Sequence, residues 1–116
     1  MNFNITKVKL EVSVPQNNVE DVRNSIFIED AGIIGNYSHC SISTQCISTF
    51  MPNNNAKPYI GEINKLEYVF EEKLEVVCDI NKVKKVIKKI REVHPYEEPV
   101  INIIPLINEY DLFNIL

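Results

Sequence analysis

Six residues near the C-terminal end, His94-Pro-Tyr-Glu-Glu-Pro99, bring an imidazole, a phenol and two carboxylates together in a proline-bounded turn. Imidazole nitrogen and carboxylate oxygen both suit divalent cations, so His94, Glu97 and Glu98 are candidate ligands for a divalent metal ion. With Tyr96 they could instead orient a small molecule. A purely structural reading stays open beside these: an imidazole at a helix C-terminus is favoured by the helix dipole, and the prolines would set the turn.

Gly32-Ile-Ile-Gly-Asn-Tyr37 could offer backbone N–H groups to an anion, yet it has no lysine and does not open a helix, so a tight turn competes with that role. Tyr37 and the Pro52–Gly61 loop join His94, Tyr96, Glu97 and Glu98 as the candidate ligand-binding site. Cys40 beside His39 suggests a nucleophile or a soft-metal site. Neighbours on a strand point to opposite faces, however, so the expectation is a small buried Cys40 and a surface His39.

Lys82, Lys84, Lys85, Lys88, Lys89 and Arg91 are six of the twelve basic residues. They could contact RNA or an acidic partner. No aromatic platform accompanies them and the net charge is −4, so a solvated helix face is expected and nucleic acid is not. Glu67, Glu71, Glu72 and Glu75 are expected on one wet strand face, balancing lysines rather than performing acid–base work.

The elements that position these groups follow from periodicity. Lys7 to Val14 alternates charged or polar with apolar residues, a strand with one buried face. Pro15 breaks it, and Asn17 with Glu20 resembles a capping box before a helix carrying Val19, Val22 and Ile26, with Gly32 at its left-handed end. Tyr37 to Phe50 reads as a second strand, irregular in its latter half.

Pro52 to Gly61, with three successive asparagines and two prolines, is a loop. Leu66 to Cys78 reads as a long strand with Leu66, Tyr68, Phe70, Leu74, Val76 and Cys78 inward. Asp79 or Asn81 then caps a helix striped by Val83, Val86, Ile87, Ile90 and Val93, which Pro95 ends. Val100 to Leu106 is apolar on both parities, as in a strand covered on both faces.

The order is βαββαβ, an α+β ferredoxin-like fold with a four-stranded antiparallel sheet and both helices on one face. The other face, including Val69 and Val77, would be bare in a monomer, which predicts self-association. A chain of 116 residues with 45% hydrophobic content is expected to form one domain, 1–116. It shows neither a secretory leader nor a membrane-spanning run, and its cysteines, Cys40, Cys46 and Cys78, form no CxxC pair. A cytoplasmic protein with no membrane partner is expected.

Ala31-Gly-Ile-Ile-Gly-Asn-Tyr-Ser-His-Cys-Ser41, Thr49-Phe-Met-Pro52 with Pro58-Tyr-Ile-Gly61, and His94-Pro-Tyr-Glu-Glu-Pro99 occur in this order. Together they resemble the YqfO-type domain, the PII/CutA-like insert of Nif-three-like dinuclear-metal proteins, here as a stand-alone chain. More distantly, the closing segment with Tyr110-Asp-Leu-Phe113 is similar to CutA. The resemblance implies a ferredoxin-like fold that assembles as a homotrimer through its sheets.

It also implies a binding or regulatory module for a small molecule or metal ion, with a protein partner possible and a site between subunits. A metal-associated hydrolase-like enzyme is the alternative, disfavoured because the family's metal ligands belong to a separate host domain and this chain has only His39 and His94. A ligand-free structural or partner-binding protein is the third. The chain departs from the family pattern at Cys46 and Ser48, where glycines are usual, and at Asn55 and Asn64, where asparagine can still support a left-handed turn.

Overall fold

The computed structural model describes residues 3–115. Strand β1 (Lys7–Pro15) leads through a 3₁₀ turn, Gln16–Asn18, into helix α1 (Val19–Ile28). Strands β2 (Ile42–Phe50) and β3 (Glu67–Asp79) follow. A second 3₁₀ turn, Ile80–Lys82, leads to α2 (Val83–Val93), then β4 (Ile101–Leu106) and a short α3 (Glu109–Ile115). The sheet order is β2-β3-β1-β4 and every pairing is antiparallel, so the expected βαββαβ α+β architecture is present.

The core forms because the alternating strands turn one parity toward the helices. Val8, Leu10, Val12 and Val14 of β1 and Leu74, Val76 and Cys78 of β3 pack with Val22 and Ile26 of α1 and Val86 and Ile90 of α2. Burying each large aliphatic side chain contributes about 1.5–3 kcal/mol, which is what holds the helices to the sheet.

The helix starts differ from expectation. No capping box forms: α1 is entered through the 3₁₀ turn, its Asn18 cap makes no side-chain bond, and Asn18 Oδ1 is buried without a partner. Asp79 and Asn81 likewise do not cap α2, which begins at Val83 behind its own 3₁₀ turn. After α1 the chain reverses at Asp30 and Gly32, both left-handed. Gly32 N–H donates to the Val77 carbonyl, and its own carbonyl accepts from Cys40 N–H. A Cβ there would sit 2.7 Å from the Cys40 carbonyl oxygen, so only glycine fits.

The second strand is regular where irregularity was expected. Its ladder with β3 is unbroken from Ile42 to Phe50, and the irregular part lies before it, where Ile34 and Tyr37 close a tight bridge and Gly35 and His39 take positive φ. His39 and Cys40 therefore sit in a turn rather than a strand, with Cys40 only half buried.

The expected inward row of β3 also breaks. Leu74, Val76 and Cys78 face the helices, but Tyr68 and Phe70 of the same parity are 67% and 69% exposed. The cause is length: only Glu71 to Asp79 pairs with β1, and beyond it the β2–β3 hairpin runs past the helices. Glu71, placed by its partners Pro15 and Cys46 on the sheet face away from the helices, is instead 2% exposed. Val69, expected to be bare on that face, is buried too. On β4 the expected double cover is lacking within one chain, since Ile103 and Ile104 remain exposed.

Candidate functional site

Against the helix-free face, at its Glu71 end, lies a cleft of about 620 Å³, within the range typical of small-molecule sites. Sheet residues Ser13, Ser48 and Glu71 line it from below. The connection between β2 and β3 and the turn after α2 line its sides, bringing in Phe50, Tyr59 and Tyr96.

Two sets of hydrogen bonds hold these walls. In the β2–β3 connection, Asn55 N–H bonds Asn53 Oδ1, Asn64 N–H bonds the Pro52 carbonyl and Asn64 Nδ2 bonds Asn54 Oδ1. The asparagine run is thus a self-bonded turn system, the usual use of short amide side chains. Asn64 takes positive φ, the left-handed turn that asparagine can support, whereas Asn55 does not. A hydrogen bond joins the walls: Lys57 N–H lies 3.2 and 3.4 Å from the two Glu97 carboxylate oxygens.

His94 is buried at the end of α2, its N–H closing the last helical turn on the Ile90 carbonyl. Nε2 stands 2.8 Å from the Ser13 carbonyl oxygen and must donate to it. Nδ1, 3.1 Å from Tyr96 N–H, must accept. The ring is therefore the neutral Nε2–H tautomer, and burial lowers its pKa in agreement, opposed by the Ser13 bond and the charge of Glu71. Both nitrogens are committed to the backbone, so His94 aligns Tyr96 rather than facing the cleft.

Tyr96 Oη donates to Glu71 Oε2. Its pKa is pushed far above the ordinary phenol value, by burial first and then by the bond to Glu71. Phe50 and Tyr59 each stand 6.3 Å from the Tyr96 ring, tilted at 57° and 54°. Cys46 on β2 donates its thiol to the Glu71 carbonyl at 3.6 Å, and burial raises its pKa.

Of the residues singled out from sequence, Tyr96, Glu97 and Glu98 line the cleft and His94 lies directly behind it. Tyr37 does not. It is exposed on the α1–β2 turn, whose anchor at Val77 lies six residues along β3 from Glu71, about 20 Å at strand rise. The metal set of His94, Glu97 and Glu98 does not fit in this arrangement: His94 has no free lone pair and Glu97 accepts from Lys57. Among the described residues no group of three His, Cys, Asp or Glu side chains converges as a metal site.

Sequence reasoning missed Phe50 and set Glu71 aside as a solvated residue, whereas Tyr59 falls within the Pro52–Gly61 loop expected at the site. Nothing in the sequence marks Glu71, which shares its parity with the charged residues Glu67, Lys73 and Glu75.

No protein-family model matches the chain. Over 98 residues it is 44% identical to the Bacillus subtilis (strain 168) protein named GTP cyclohydrolase 1 type 2 homolog, covering 84% of this chain and 26% of that one. It is also similar to the crystal structure of a Bacillus cereus protein related to NIF3, with a TM-score of 0.79 and 34% identity over 92% of this chain and 27% of that one. The divalent ion tolerance protein CutA1 from Ehrlichia chaffeensis gives a TM-score of 0.66 at 18% identity, over 94% of this chain and 89% of that one, a likeness of fold. The chain spans about a quarter of the length of the curated relatives it matches.

Proposed function

This chain is a YqfO-type PII/CutA-like domain of the Nif-three-related family, and on that premise we propose that it is a non-enzymatic regulatory module that binds a small ligand in the cleft beside Glu71. The observation that carries this reading is the pairing of buried Glu71 with half-buried Tyr96 at the bottom of a roomy cleft, where a carboxylate is held by a neutral hydroxyl donor and opens onto aromatic walls. Tyr96, Glu97 and Glu98 contact the ligand, and His94 holds Tyr96 in place. A neutral, doubly bonded histidine and a phenol whose proton is held tightly supply no general acid or base near neutral pH.

The mechanism follows from how lightly the walls are joined. A ligand seated between Tyr59 and Tyr96 orders the β2–β3 connection through the Lys57–Glu97 contact and changes the surface a protein partner meets. Three copies assemble through the helix-free sheet faces, where β4 still exposes Ile104, the cross-strand partner of Lys9. Tyr37 reaches a cleft only from a neighbouring copy. A cytoplasmic setting belongs to the same reading; no helix among the described residues is long and apolar enough to cross a membrane.

Native mass spectrometry of freshly purified protein, with elemental analysis, tests this. A trimer retaining an organic molecule without stoichiometric metal is expected. Bare subunits support the ligand-free structural role instead. Metal that survives dialysis and is lost in His94→Gln restores the metal reading.

A further inference from the structure

We propose that the ligand of this cleft is an organic cation, an ammonium-bearing molecule with an apolar body; the inference rests on the cleft being the binding site. Its first support is the charge of the lining. Glu71, Glu97 and Glu98 are carboxylates, and none of the described lining residues is Lys, Arg or His. On the same strand, Glu72 pairs with Arg23 at 3.7 Å and Glu75 with Lys9 at 3.0 Å. Lys73, next on the face of Glu71, is turned to Glu11 at 3.8 Å. Glu71 is the most buried carboxylate of the strand and, among the described residues, has no cationic partner, only the neutral Tyr96 hydroxyl. Buried charges are ordinarily paired, so a cation is the partner this site lacks.

The second support is independent of charge counting. Phe50 and Tyr59 flank Tyr96 at equal ring distances and inclined angles, and Tyr59 is 58% exposed although it lines a cavity. Ring faces attract cations, more strongly where the site is shielded from water. The remaining lining, including Met51, Pro58, Ile60 and Val100, is apolar and suits a hydrocarbon body. A phosphate-bearing or carboxylate ligand would meet three like charges with nothing to offset them, and a bare metal ion would find His94 already committed.

The test uses three probes that share a phenylethyl body and differ in charge: 2-phenylethylammonium, 2-phenylethanol and 3-phenylpropanoate, each titrated into the intact protein while side-chain and amide resonances are followed by NMR. The ammonium is expected to perturb Phe50, Tyr59 and Tyr96 and to bind about tenfold or more tightly than the alcohol, with the carboxylate weakest. Glu71→Gln should remove that preference. Tyr59→Leu, an exposed position that keeps the apolar contact, should reduce it several-fold even if Glu71→Gln fails to fold. If the alcohol or the carboxylate binds in the cleft as well as the ammonium, the cleft is a binding site and the cation assignment is overturned. If no probe perturbs the cleft, both fall.

Discussion

Tyr96→Phe removes one hydroxyl and leaves the ring, so it isolates the contact on which the site rests. Glu71 is 2% exposed and Tyr96 Oη is its hydrogen-bond donor. Hydrogen bonds to charged groups contribute about 1.5–3 kcal/mol, and water entering the open cleft will recover part of that, so a loss of about 2 kcal/mol is expected. With an unfolding entropy of about 2.1 cal/mol/K per residue over 116 residues, this corresponds to a fall in Tm of roughly 8 °C. Thermal and urea unfolding followed by circular dichroism measure it, with Tyr59→Phe as a control that should stay within about 0.5 kcal/mol of wild type. Adding Glu71→Gln completes a double-mutant cycle, in which the two changes should be coupled by about 1 kcal/mol or more. A Tyr96→Phe protein as stable as wild type, or strictly additive changes, would refute the pairing.

Three further outcomes follow from other parts of the fold. Gly32→Ala should cost about 1–3 kcal/mol from its left-handed φ alone, with the 2.7 Å approach to the Cys40 carbonyl adding to it; Gly35→Ala has no atom within 4 Å of its Cβ and should cost less in the same urea titration. His94 has its pKa lowered on folding, so below about pH 6.5 the unfolded chain takes up a proton that the native ring refuses. Its contribution is therefore complete above that pH and declines as pH falls toward the native pKa, and the stability difference between wild type and His94→Gln should shrink over that window; a pH-independent difference would count against a buried neutral ring. Leu74→Ala, in the fully buried row of β3, should cost about 2–5 kcal/mol, whereas Phe70→Ala, on the uncovered part of the same strand, should change monomer stability far less.

Much of the architecture was legible because the strands facing the helices keep strict parity: Val8 to Val14 can be satisfied only one way. Helix ends were less so, since the Asn17–Glu20 pattern has the residues of a capping box while the chain uses a 3₁₀ turn instead. The site was legible in part. The His94–Pro99 turn announced itself by composition, but the commitment of both His94 nitrogens depends on the Ser13 carbonyl, 81 residues away. Glu71 was hidden for a similar reason. Its place in a glutamate row reads as wet, and only the folding of the β2–β3 connection over that face makes it the bottom of a cleft.

Hydrogen–deuterium exchange of the intact protein, with and without the small-molecule filtrate of a cell extract, addresses the cleft most directly. Slower exchange is predicted in residues 51–66 and 94–100, with the difference diminished in Tyr59→Leu. Exchange that is unchanged in both segments, or altered only elsewhere on the molecule, would contradict the assignment of the cleft as the binding site.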